Sequence, residues 1–337
     1  MMDMSTAVVI LNWNGIGYLQ KFIPVILECT DIPEIAALYV ADNGSDDGSV
    51  EWLRQEYDSS RVRLICLDRN YGFTGGYNRA FESIRRSGAH FEYYLLLNSD
   101  IEVTAGWLDS LVRFMKVHPE CAVCAPKIMS YGQRDMFEHA GACGGFMDRM
   151  YFPYCRGRIL SVLERDEGQY DNPCRVFWAS GAALMIRSDL WHELGGLDES
   201  FFAHMEEIDL CWRAMLAGWE IWVEPASVVY HVGGGTLPNN SPRKLYLNFR
   251  NNLLMMYKNL PERTMRRIVF SRMCVDGVIA CAYLLAGRVS FFKAVVMAHR
   301  DFRKMRKTAV RTVSGLNVPR PKVTLVRLAL KGFRYPY

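Results

Sequence analysis

Four apolar runs in the first hundred residues each break into a polar turn: "AVVILNWNG" (7–15), "LYVADNGSDDGS" (38–49), "RVRLICLD" (61–68) and "YYLLLNSDIEV" (93–103). Between them lie "YLQKFIPVILECT" (18–30), with apolar groups at helical spacing, "VEWLRQEY" (50–57), and "TGGYNRAFESIRR" (74–86), which opens on glycines. Strands alternating with helices at such short intervals argue for βαβ units, an α/β fold with a mainly parallel sheet. Ligands of open α/β sheets bind beyond the carboxyl ends of the strands. That rule places Asn12, Asp42, Asn70 and Asp100 along one edge.

The chain continues less regularly over 104–175, with loops expected at Gly141–Gly145 and Pro153–Gly157. "FWASGAALMIRSDLWHELGG" (177–196) reads as a turn, a short strand and a short helix. "EIDLCWRAMLAG" (207–218) reads as a helix stopped by Gly218. "EIWVEPASVVYHVGGG" (220–235) reads as strand, turn and strand before a glycine run. From about 241 the character turns basic and apolar. Residues 241–337 hold 21 Lys and Arg against Glu262, Asp276 and Asp301, a charge of +18, while residues 1–240 carry −14. We expect two units, 1–240 and a basic, partly amphipathic helical region 241–337, as the length of 337 residues also suggests.

Ten cysteines do not space like a small secreted scaffold, and residues 1–7 have no basic leader. The expectation is reduced thiols in a cytoplasmic protein. Cys121 and Cys124 form one C-x-x-C, which without a second pair reads as buried thiols rather than zinc. The longest uncharged stretch of the apolar C-terminal part, Gly277–Gly287, is shorter than the ~20 residues of a membrane span.

Asp42 ends a strand, where a carboxylate can accept from a nucleobase ring N–H; turn formation alone also explains the acid. "NYGFTGGYN" (70–78) adds a second Gly-rich strand-to-helix turn, where backbone N–H groups can approach a diphosphate. It is neither a Walker sequence nor G-x-G-x-x-G. Asp100 can hold Mg²⁺ or Mn²⁺ beside a diphosphate, or simply form the turn. His231 is a second possible ligand or a structural histidine. "FFAHMEEIDLCWRA" (201–214) sets Glu206, Glu207 and Asp209 among aromatics. An acidic first helical turn suits the macrodipole, and Asp209 with Arg213 at i+4 is a helix-stabilising pair; the flanking aromatics are not explained that way.

"VVILNWNG", "VADNGSDDGS", "NYGFTGGYN", "LLLNSD", "GGLDESFFAHMEEIDLCWR" and "YHVGGG" occur in an order that resembles glycosyltransferase family 2, most like its rhamnosyltransferase branch, over roughly residues 7–235. The resemblance implies the GT-A fold, an α/β Rossmann-like mixed sheet flanked by helices, with a nucleotide-sugar donor and a divalent metal. It implies donor binding by Asn12, Asp42, Asn43, Asn70, Gly75, Gly76, Asn78, Asn98 and Ser99, and metal binding by Asp100 and His231. Asn98-Ser99-Asp100 stands in the place of the family's D-x-D, with Asn98 where many members have Asp. Glu206-Glu207 stands in the place of the family's Glu-Asp pair, so Glu207 would be the general base that deprotonates the acceptor hydroxyl. Trp178, Ser180, Gly181 and Glu206 would line the acceptor site, although Trp178 reads equally well as a core residue.

Basic and apolar residues interleave over 245–310, as in helices that lie on an anionic membrane or as in a solvated face packed on the body. No nucleic-acid motif is present. The expected function is sugar transfer from a dTDP- or UDP-sugar, with dTDP-rhamnose one candidate, to a glycan or polyprenyl-linked acceptor, with peripheral contact to the inner membrane face through 241–310. A nucleotidyltransferase or a non-catalytic nucleotide-sugar or glycan binder are the alternatives.

Overall fold

A computed structural model describes residues 5–30, 36–138, 142–159, 162–233, 241–312 and 321. The glycines of the 233–235 run beyond Gly233 lie outside the described residues, as does most of the chain after 312. In chain order the elements are β1 (Thr6–Asn12), α1 (Ile16–Cys29), β2 (Ala36–Asp42), α2 (Ser49–Glu56), β3 (Val62–Cys66), α3 (Gly72–Arg86), β4 (Tyr93–Asn98), β5 (Ile101–Val103), α4 (Trp107–Val117) and β6 (Cys121–Ser130). Four short strands follow, β7 (Gly145–Met147), β8 (Pro153–Cys155), β9 (Arg158–Ile159) and β10 (Val162–Leu163). The chain then forms β11 (Cys174–Val176), β12 (Ala183–Arg187), α5 (Ser188–Glu193), α6 (Glu206–Leu216), β13 (Glu220–His231), α7 (Pro242–Asn259), α8 (Glu262–Leu285) and α9 (Val289–Met305).

The central sheet runs β11-β13-β6-β12-β4-β1-β2-β3, with β5 paired to β13. β1 is parallel to both β2 and β4, and β2 to β3. β12 runs antiparallel to its neighbours β4 and β6, which makes the sheet mixed. β1, β2 and β4 are buried on both faces, so they read as continuous apolar runs rather than as alternation. One core lies against α3, α5, α6 and α7, the other against α1 and α4.

The irregular middle contains more order than its sequence suggested. α4 presents Trp107, Leu108, Leu111, Phe114 and Met115 to the core at helical spacing. Cys121 and Cys124 lie buried in β6 as free thiols, and all ten cysteines are unpaired. β13 is one strand with a bulge between Glu224 and Val228, where a strand–turn–strand was expected.

α7 begins as the sequence "SPRK" dictates, with Ser241 Oγ accepting from Lys244 N at 3.1 Å and Pro242 at the first helical position. It is tied to the sheet's loops rather than standing apart from them. Asp209 of α6 is fully buried and bonded to Arg213 Nε at 2.7 Å, Lys258 Nζ at 3.3 Å and Asn259 Nδ2 at 2.7 Å. The i+4 pairing of Asp209 with Arg213 expected from sequence is therefore present, within a larger network.

Candidate active site

Strand register assembles the polar edge. Asn12 and Asp42 end β1 and β2 side by side, and Leu11 pairs with Asn98 at the end of β4. Asn12 Nδ2 donates to Asp42 Oδ2 at 3.0 Å, and Ser45 N donates to Asp42 Oδ1 at 2.9 Å. Asn12 Oδ1 is buried without a hydrogen-bond partner among the described residues. Such an orphan costs about 1–3 kcal/mol, so it marks a position where a ligand donor belongs. Gly15 closes over it: a Cβ there would stand 2.6 Å from Asn12 Oδ1 and 3.5 Å from Ser99 Oγ.

Asp100 follows β4 and meets His231, whose strand pairs with β5 at Ile101. His231 Nε2 lies 3.2 Å from Asp100 Oδ1, and Nδ1 lies 3.3 Å from Glu138 Oε1, a close ionic contact without hydrogen-bond alignment. Burial alone would lower the His231 pKa, but its two carboxylate partners outweigh it and raise it to about 10. Burial would likewise raise Asp100, yet the bond and charge of His231 hold its carboxyl below the ordinary value. Among the described residues no group of three or more His, Cys, Asp or Glu is set to hold a metal ion. Asp100 offers a hard carboxylate oxygen suited to Mg²⁺ or Mn²⁺ where diphosphate oxygens and waters complete the shell. His231, an imidazolium between two carboxylates, would have to release a proton before a ring nitrogen could join it.

The acidic pair starts α6 after a loop held in costly backbone. Phe202, His204 and Met205 have φ of 67°, 67° and 75°, each a conformation that disfavours side chains by on the order of 1 kcal/mol or more. α7 holds that loop: Asn251 Nδ2 faces the carbonyls of Phe201, Ala203 and His204 at 3.0, 2.8 and 2.7 Å, and Arg250 Nη2 donates to Phe201 O at 2.9 Å. Glu206 is buried and Glu207 half-buried, and one oxygen of each lacks a hydrogen-bond partner. Burial raises the Glu207 pKa to about 7. Burial, then the charge of Glu207, raises Glu206 well above the carboxylate range. A Cβ on Gly181 would come within 3.6 Å of Glu207 Cβ and 3.2 Å of Phe73. Ala182 O accepts from Asn98 N at 2.9 Å. The segment 181–182 thus bridges Glu207 to the Asn98–Asp100 turn.

The sequence profile of "Glycosyltransferase like family 2" matches residues 4–256. The chain belongs to this family of glycosyltransferases. This glycosyltransferase is 25% identical over 240 residues to the N-acetylglucosaminyl-diphospho-decaprenol L-rhamnosyltransferase of Mycobacterium tuberculosis, covering 68% of this chain and 76% of that protein. It is 24% identical over 230 residues to a low-salt glycan biosynthesis hexosyltransferase of Haloferax volcanii, covering 66% and 68%. Among solved structures it is similar to GalNAc-T7 with UDP, GalNAc and Mn²⁺ (TM-score 0.58, 17% identity, covering 76% of this chain and 48% of that one). It is also similar to S. aureus TarS 1–349 with UDP-GlcNAc (TM-score 0.57, 15% identity, covering 91% and 84%). These likenesses establish the GT-A fold.

Within this glycosyltransferase several of the expected residues already have partners inside the fold. Trp178 belongs to the core: its indole N–H donates to Phe146 O at 3.0 Å and its ring lies across Gly145, so it offers no open face to a sugar. Asn78 donates to Leu197 O at 2.7 Å and accepts from Leu197 N at 2.9 Å, which ties α3 to the turn before α6. Asn43 accepts from Tyr71 N and donates to Asn70 Oδ1 and Gly72 O, and so joins the two loops. Gly75 and Gly76 lie inside α3, beyond the first turn with its open N–H groups. Gly76 instead allows close packing, since a Cβ would meet Leu11 at 2.6 Å. The glycine the turn needs is Gly72, at φ 72° against the Phe202 ring. Ser180 is buried, its Oγ accepting from Ala182 N at 3.3 Å. Sequence reading missed Glu138, Asn251 and Trp13, the last half exposed at the end of β1; only Trp13, inside a quoted motif, carried a local signal.

Proposed function

We propose that this glycosyltransferase inverts the anomeric centre of its donor sugar with Glu207 as general base, and that it requires Mg²⁺ or Mn²⁺. The observation that carries the reading is Glu207 itself: a carboxyl held near neutrality, with one oxygen unpartnered, one short segment away from Asp100. At neutral pH a large fraction is ionised and basic enough to take the acceptor hydroxyl proton as that oxygen attacks the anomeric carbon. Glu206, kept protonated, donates a hydrogen bond to the acceptor. Asp42 and Asn12 hold the nucleoside, with the exposed Trp13 beside them. Asp100 and His231 would hold the metal, which when bound offsets charge on the departing diphosphate.

The donor we favour is dTDP-rhamnose and the acceptor a polyprenyl-diphosphate-linked glycan at the cytoplasmic face of a membrane, with peripheral contact through 241–310. The activity printed for the mycobacterial relative and the basic charge after residue 241 support that choice. The test is a thermal-shift panel of UDP, dTDP, GDP and CDP, each with Mn²⁺ and with chelator. A metal-dependent rise for dTDP, followed by release of dTDP from dTDP-rhamnose with an acceptor, bears out the reading. A rise for another nucleotide moves the donor, and a rise unaffected by chelator removes the metal.

A further inference from the structure

α8 buries Arg272 and Asp276 beside Met265, Val269 and Ala280, keeps Glu262, Arg263, Arg266 and Arg267 exposed in its first turns, and from Phe270 onward turns mainly apolar side chains outward. Its inner face places Arg272 and Asp276 at 2% and 0% exposure. Arg272 donates to Met150 O at 3.1 Å and to Asn252 Oδ1, and its guanidinium lies 3.6 Å from the centre of the Phe152 ring. Asp276 accepts from His299 Nε2 at 3.0 Å. The outer stripe runs Arg263, Arg267, Phe270, Cys274, Val278, Cys281 and Leu285 at helical spacing, all exposed. Phe270 is 68% exposed, Val278 70% and Leu285 90%. α9 returns antiparallel beside it, exposing Val289, Val296 and Met297 near the turn and Arg300, Arg303 and Lys304 toward its far end. The hairpin therefore exposes an apolar stripe from Phe270 to Leu285, with Lys293 exposed on the turn side and a mainly basic collar, with Glu262 in it, at the other end. By length and composition α8 is also the one helix, among the described residues, that suffices to cross a membrane; the shorter uncharged stretch weighed from sequence is only its last part.

We propose that the α8–α9 hairpin is a monotopic membrane anchor. It lies side-on, with the Phe270–Leu285 stripe in the acyl boundary of an anionic leaflet and the collar on the headgroups. The charge complementarity of the collar selects an anionic lipid surface as the occupant. A span is disfavoured because Arg272 binds the middle of α8 to Met150 and Asn252 of the body, and crossing would strip it from those partners and carry the charge of Asp276 into lipid. The proposal deepens the membrane contact in the functional reading and rests on it, while naming the surface that enters the lipid.

Cys274 and Cys281 lie on the docking stripe, and Cys66, at the far edge of the sheet, is exposed away from it. The full chain is labelled with a water-soluble maleimide, alone and with vesicles of phosphatidylcholine mixed with anionic phosphatidylglycerol, whose negative surface attracts basic residues. Labelling of Cys274 and Cys281 is expected to slow at least tenfold with vesicles, with Cys66 unchanged. Unchanged labelling of the pair overturns the proposal, as does concentration-dependent protection without lipid, which would mean a second copy covers the stripe. The exposed double substitution Val278→Asp/Leu285→Asp is expected to abolish vesicle flotation; flotation at the wild-type level overturns the stripe. Its metal-dependent nucleotide shift and its turnover of a soluble acceptor are expected to stay intact. That separates failure of the anchor from failure of the transferase reading.

Discussion

Glu207 carries a conflict between folding and function. Its folded pKa of about 7 stands above the unfolded value, so the native state holds a proton that the unfolded chain releases. That contribution is fully present below the unfolded value and is lost as pH rises through about 7. Glu207→Gln is therefore expected to raise the Tm at pH 8, by on the order of 1–3 kcal/mol of stability, with little gain at pH 4, as thermal unfolding across pH would read. The same variant is expected to lose about 10³-fold or more in transfer while keeping its nucleotide-induced shift. In the wild type the acid limb of kcat/KM should fall near pH 7, as the base protonates. Glu206→Gln should leave that limb in place, because Glu206 is already neutral where Glu207 titrates. Asp100→Asn is expected to erase the Mn²⁺-dependent part of nucleotide stabilisation, and a wild-type metal titration would take Asp100 out of the site. The acids were legible because each sits in a local pattern: a strand end, or a helical first turn among aromatics. Glu138 was not, because nothing near it in sequence announces His231, and Trp178 reads alike from sequence whether it faces a sugar or Gly145.

At the scale of elements, the strands and first helices were readable because two-sided burial writes continuous apolar runs, and the turns between them take Asp, Asn and Gly. What could not be read is how α7 reaches back to the acidic helix. Asn251 looks like an ordinary polar residue in "NFRNNLL", yet it bonds three carbonyls of a loop in strained backbone. Asn251→Ala should cost about 2–3 kcal/mol, since it leaves buried carbonyls unpaired. It should also lower kcat more than nucleotide affinity, because the loop aims Glu207 and not the donor. Steady-state kinetics with the nucleotide shift as control would check this, and equal losses in both would refute a role confined to the loop. Asp209→Ala, which leaves Arg213 with the carbonyls of Leu194 and Gly196 but no charge partner and Lys258 with Asp198 alone, should be harsher, about 3–5 kcal/mol in chemical denaturation.

Across the whole molecule, the change of composition at residue 241 marks a change in charge more clearly than a change in structural unit. Leu253, Leu254, Met255 and Met256 of α7 are completely buried in the same core as α3 and α6. Truncation at 240 is thus expected to give an aggregating or partly unfolded product rather than a soluble catalytic domain, and the intact chain to melt in one transition; calorimetry on both would tell. The clamp by Asn251, Lys258 and Asn259 also has a temporal meaning. During synthesis the nucleotide-binding edge of β1, β2 and β4 can form while most of the chain is still unmade. Glu207, the base we propose, cannot be fixed until α7 has left the ribosome, about 50 residues after Glu207 itself. A nascent chain would pass through a stage able to hold a donor and unable to use it, and the ability to react arrives together with the helices that follow.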